Sequence, residues 1–492
     1  MTRTLFRGFP VLVLWATAST AVATEPLGFD GARHLLNRTS FAANVDDVAA
    51  FARLTREQAA DRLLAWTAKP RVTPPPAWAD EPYESPRRIR TLSDKERMRF
   101  RREQVRKGIE LRGWWLQEML TTPSPLSEKM TLFWHNHFVS SQQKVRSPRL
   151  MYRQNLLLRT HALGNFGAFL HAIARDPAMV IYLDNASNRK ARPNENFARE
   201  LMELFTLGEG RYTEQDVKEA ARAFTGWSID PATGEFMFRP MQHDEGVKTV
   251  LGRSGNFNGG AVLDVLLDRP ETAEFIVAKL WREFVSPNPD PVEVKRIAQR
   301  FRDSRYDIAV ALRAVLVSDA FYARAHRASL VKSPVDLVVG TLRQFRFTTG
   351  EPLPFVFTTG QLGQNLFAPP NVKGWPGGEA WINSTTLLAR KQFLDRLFRV
   401  EELQPGMMAM RGGGGLPRGI NRAGDDGRER FVRAMSELRF DGSKWLAQFN
   451  GGDAAALQRL ILASAPVNAL PEGVQGMDAI RHLTRDAAFQ LK

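Results

Sequence analysis

The chain has 492 residues, no cysteine and a formal net charge of +15. Without thiols there are no disulfides, thiolate zinc sites or cysteine nucleophiles, and the length suffices for two or three hydrophobic cores. The basic excess attracts polyanions, but no nucleic-acid-binding module accompanies it, which sets nucleic acid aside as a partner.

Arg3 and Arg7 precede an apolar run over residues 9–18, and Ala21-Val22-Ala23 supplies small residues for cleavage. Residues 1–23 therefore read as a secretory signal, which predicts a periplasmic or secreted protein. The run is too short to span a bilayer, and no later window is apolar enough, so no membrane span is expected once the signal is removed.

Residues 24–86 read as N-terminal helices, one of them carrying His34, followed by a strap rich in proline, which cannot continue a helix. Residues 87–400 read as the main helical domain. It opens on a basic run from Arg87 to Lys107, where Ser93 and Glu96 form a capping box. An anionic glycan or cell-envelope polymer is the partner that this charge fits in an exported protein.

Phe133-Trp134-His135-Asn136-His137-Phe138 sits near the end of the next helix. His135 and His137 are candidate ligands for a divalent metal. On a helix they point about 200° apart, so sharing one ion requires the backbone to break at Asn136. Further helices follow over 149–175, and a polar, basic loop over 185–194 leads into the most informative stretch.

There Asn194 can cap a helix whose buried stripe is Phe197, Leu201, Leu204 and Phe205. Asn196, Glu200 and Glu203 lie on a neighbouring face, which stacks two carboxylates one turn apart. Such a pair can hold a metal or share a proton; it can equally be a solvated face beside Arg199. Gly208 stops the helix, and Thr213 with Asp216 opens the next. Residues 235–239 and 247–251 read as a small β-hairpin whose connection holds His243 beside Asp244, a ligand or general-base candidate.

Scaffold helices follow. Phe367 to Gly378 is then irregular, because its prolines and glycines forbid regular structure. Lys373 is placed to hold an anion. Trp375 and Trp381 can wall a groove in which indole faces stack on sugars, and Asn383 and Arg390 can point into it. Residues 401–492 read as a glycine-rich loop over 411–428 and C-terminal helices that pack on the main body.

PNENFARELMELFTLGEGRYTEQDVKEAARAFTGW, with ARHLLNR, FWHNHF and PPNVKGWPGGEAWINS, resembles the bacterial family named domain of unknown function 1800. The likeness runs from about Phe29 to about Phe398. It implies an exported, mostly helical protein with no settled activity, and a partner from a second exported family resembling phosphatases and sulfatases.

No phosphate loop, GxSxG elbow or HExxH occurs, and strand–helix alternation is too sparse for a Rossmann or barrel fold. The fold class expected is mainly α, with a small hairpin and long irregular loops. The function expected is hydrolysis of an anionic envelope polymer, by a metal at His135 and His137 or by Glu200, Glu203 and His243 as acid and base. Asn196, Arg199, Lys373, Trp375 and Trp381 would bind substrate. The alternative is a non-catalytic, glycan-binding accessory protein.

Overall fold

Short polar caps and first-turn prolines start most helices. Thr55, Ser93, Thr213 and Ser333 each accept from the backbone three residues on and complete reciprocal capping boxes. Pro125, Pro148, Pro177, Pro270, Pro291 and Pro334 occupy first-turn positions, where a missing N–H costs nothing. The computed structural model describes residues 25–69, 71–399, 433–434, 436–449 and 453–492. The expected signal and the 411–428 loop lie outside these.

The described chain is mainly α-helical, with two small antiparallel sheets of two strands each. The expected small antiparallel element is present, but as two separate pairs of strands. Strand β1 (Trp227–Ile229) pairs with β2 (Phe236–Phe238), and β3 (Lys248–Val250) pairs with β4 (Arg253–Gly255). Each strand finds its partner across a short turn, so the two β-like runs seen in the sequence do not pair with each other. Gly252, at φ 79°, supplies the turn between β3 and β4.

One continuous hydrophobic cluster runs from Ala32 to Phe489. The indole N–H of Trp134 donates to Ala162 O at 2.8 Å, and that of Trp115 donates to Glu128 at 2.8 Å. Arg159 also grips Glu128, through Nε and Nη2 at 2.7 and 2.8 Å, so this buried carboxylate is fully partnered. The proline-rich strap lies against the helix Asp94–Thr121: the Glu118 carboxylate accepts the N–H groups of Val72 and Thr73 at 3.2 and 2.7 Å.

A second buried polar centre joins distant segments. Asp336 accepts Lys129 Nζ at 2.5 Å and Lys492 Nζ at 2.7 Å. The two ammonium groups overcome burial and hold its carboxyl well below the usual range.

Candidate functional site

The helix Pro125–His137 ends by sending three consecutive side chains in three directions. Its helical path continues through Asn136, so His135 and His137 diverge as helical geometry requires. His135 is enclosed by Trp115, Phe367 and Trp375, with ring centroids 5.3–5.6 Å away. Neither of its ring nitrogens has a hydrogen-bond partner, and burial pushes its pKa down to about 3. His137 faces another way. Its Nε2–H donates to Phe205 O at 3.2 Å, and its Nδ1 accepts from Lys279 Nζ at 3.0 Å. The two histidines therefore do not form a common metal site. Among the described residues no group of three or more His, Cys, Asp or Glu side chains is placed to hold a metal ion.

The carboxylate-bearing segment departs from a regular α-helix. An α-helical turn, Asn196–Glu200, runs directly into a π-helix, Leu201–Thr206. The wider turn leaves its last carbonyls to be satisfied from outside. His137 takes Phe205 O, while Lys279 Nζ donates to Leu204 O at 3.1 Å. A neutral imidazole and an ammonium group thus cap the carbonyl end of the helix, where its dipole favours the Lys279 cation. Lys279 was not legible as functional in the sequence; its only signal is a cation inside the apolar run IVAKLW. Burial draws its pKa down to about 7.

Glu200 and Glu203 receive different environments from this frame. Glu200 is half-buried and accepts no hydrogen bond from the described residues. Burial first, and then the charge of Glu203, pushes its pKa up, against the pull of Lys373 and Arg199. Glu203 accepts the Tyr212 hydroxyl at 3.1 Å and lies 3.5 Å from Lys373 Nζ. Burial and Glu203 push Tyr212 up to about 12. Tyr182 completes the surround: burial and the charge of Glu200 raise its hydroxyl pKa. Neither tyrosine was singled out from the sequence, although Tyr212 stands just beyond the glycine turn that folds it back.

Lys373 bridges the irregular loop to this segment, since it also reaches Glu209 Oε1 at 3.2 Å. Asn136 anchors the same loop through the N–H of Trp375 at 2.7 Å. Three separated sequence pieces, 133–138, 196–212 and 371–375, therefore meet.

The remaining expected site residues have other employment. Arg199 is held by Glu214 at 2.6 and 2.8 Å and by Glu195 at 3.0 Å. The Asn196 amide donates to Leu183 O at 3.2 Å and ties the helix start to the preceding turn. Trp375 and Trp381 are only 4% and 6% exposed, so their indole faces are packed inside and do not line an open groove. His243 is also buried. Its Nδ1 contacts Thr225 O at 2.9 Å, its ring packs on Phe238, and it bonds neither glutamate. Arg390 is buried against Lys332 O and Gln490 instead of reaching the loop. A cleft of about 330 Å³ lies elsewhere, lined by Ser40, Asn44, Asp47, Gln117, Arg343 and Arg346 among others.

Neither the curated proteins nor the solved structures include a match to this chain. A family model does match, over residues 34–480, and so extends well past the stretch near Phe398 where the resemblance of the quoted motifs ends. Because that model covers most of the chain, the chain belongs to the family described as "Protein of unknown function (DUF1800)".

Proposed function

We propose that this protein is an exported hydrolase that acts on an anionic envelope or extracellular polymer by carboxylate acid/base chemistry. One observation carries the reading. Two glutamates on one helical segment have environments that separate their roles, with Glu200 unpartnered and raised in pKa and Glu203 held by Tyr212 and Lys373. A carboxylate whose pKa is raised by burial is a stronger base than an ordinary one and is suited to take a proton from an attacking water. Lys373, largely exposed, is the cation available to an anionic group of the substrate. The donor geometry favours this route over a metal bound at His135 and His137.

The test is a panel of anionic glycans, phosphoesters and sulfoesters, scored for released reducing ends, phosphate or sulfate. Glu200→Gln should lower turnover by roughly 10²-fold or more while the fold is kept. Undiminished turnover in that variant sinks the reading. If wild type and variant show no turnover and co-purify with an exported phosphatase- or sulfatase-like protein, the accessory role replaces it. Export is checked separately by fractionating the native host and sequencing the mature N-terminus, expected at Thr24.

A further inference from the structure

The helix Asp94–Thr121 is built in two halves. From Lys107 onward it is embedded, with Leu111, Trp115, Leu116 and Met119 in the core. Before Lys107 most of its residues are exposed. A surface helix normally carries its apolar residues inward, yet here Met98 is 54% and Val105 48% exposed. At about 100° per residue these two lie only about 20° apart, on a face roughly opposite the inward Phe100, Lys107 and Leu111.

Basic residues flank that apolar line. On the same geometry Arg102 and Lys95 fall about 40° and 60° to one side of Met98, and Arg101 about 60° to the other. Acidic residues nearby are engaged elsewhere. Asp94 pairs with Arg97 at 3.4 Å, Glu103 with Lys107 at 3.2 Å, and Glu84 with Arg88 at 3.3 Å. Among the described residues, Arg87, Arg90, Lys95, Arg99, Arg101 and Arg102 have no acidic partner. The preceding short helix, Pro86–Thr91, adds its two free arginines to the same end of the molecule.

We propose that residues 86–106 dock the protein on an anionic phospholipid surface, with Met98 and Val105 entering the headgroup boundary and the flanking cations on the phosphates. The charge alone fits any polyanion. The exposed apolar line decides between them, because a hydrated polymer offers no apolar layer for Met98 and Val105, whereas a lipid boundary accepts them while arginines snorkel to the phosphates. No helix among the described residues is long and apolar enough to cross a membrane, so this helix lies on the surface. The inference is independent of the carboxylate site.

The experiment is co-sedimentation of the full chain with vesicles of phosphatidylcholine alone or mixed with phosphatidylglycerol, beside binding to soluble polygalacturonate. Every variant carries the same N-terminal segment, so differences between variants read the helix. Wild type should partition preferentially to the mixed vesicles, and R101E/R102E should weaken that by at least about 25-fold. M98S/V105S should weaken vesicle binding by about tenfold and leave polygalacturonate binding unchanged. Equal partitioning of R101E/R102E and wild type overturns the proposal. So does wild-type vesicle binding by M98S/V105S, which would assign the face to charged polymers. All substitutions are on exposed positions, and unchanged circular dichroism certifies the fold.

Discussion

The Asn136 side-chain oxygen accepts the backbone N–H of Trp375 at 2.7 Å, and this bond seats the irregular loop on the end of the Pro125–His137 helix. Gly374 makes the approach feasible. It has φ 84°, and an added Cβ would fall on that same side-chain oxygen and 2.8 Å from the Asn136 carbonyl oxygen. Gly374→Ala should therefore cost about 2–4 kcal/mol, and Asn136→Ala about 1–2 kcal/mol. In denaturant melts the double variant should cost less than the sum, because removing the amide relieves part of the clash. Strict additivity would separate the two residues.

His135 gives a prediction that distinguishes packing from ligation. Its two ring nitrogens are buried without partners. Its folded pKa of about 3 lies below the ordinary 6.5. The unfolded chain therefore takes up a proton first as pH falls, and stability is lost between 6.5 and 3, at up to about 1.4 kcal/mol per pH unit. His135→Phe should change stability by less than about 1.5 kcal/mol at pH 7. It should exceed wild type increasingly below pH 6.5. A metal lost from the purified variant, or a large loss of stability at neutral pH, would contradict this.

Glu200 has the opposite sign. Its folded pKa is raised, so the ionised form is disfavoured by folding, and the penalty is fully present above the folded pKa and absent below the unfolded one. Glu200→Gln should raise the melting temperature at pH 7 by a small amount, on the order of 1 °C after solvent screening of this half-exposed group. The gain should vanish as pH falls below the ordinary carboxylate range. A variant less stable than wild type at pH 7 would show that Glu200 has a structural partner.

At the second polar centre the sign returns to the usual carboxylate case. Asp336 is held well below its ordinary range by Lys129 and Lys492, so its contribution is present above the unfolded pKa and lost on strong acidification. Asp336→Asn leaves the two buried ammonium groups only the more distant Glu283 carboxylate, 3.6 Å from Lys129 and 3.5 Å from Lys492, and should cost up to about 3 kcal/mol. Lys129→Met should recover part of that loss in the Asp336→Asn background. Failure to recover any would mean that the pair is not coupled.

His137 and Lys279 account for the shape of the carboxylate segment. Lys279→Met frees Leu204 O and removes the donor to His137 Nδ1. It should cost about 1–3 kcal/mol. Amide exchange should rise most at the π-turn amides of Leu207 and Gly208, which share Met202 O. Uniform exchange across the molecule would deny this cation a local role.

The sequence by itself determined the mainly α class, the capping boxes at Ser93 and Thr213, the N-terminal helices ahead of the proline-rich strap, and the family. These rest on local rules, caps and helical periodicity, that act within a few residues. It also gave the divergence of His135 and His137, since a continuous helix fixes their directions. Only the tertiary structure decided which polar residues meet. Trp375, Trp381, His243 and Arg390 look available in a string of letters, but burial depends on neighbours that only the fold brings together, such as Asn136 beside Trp375 and Gln490 beside Arg390. The π-turn after Glu200 is likewise invisible to an α-helical periodicity. It persists because His137 and Lys279, brought from other helices, satisfy the carbonyls it leaves open.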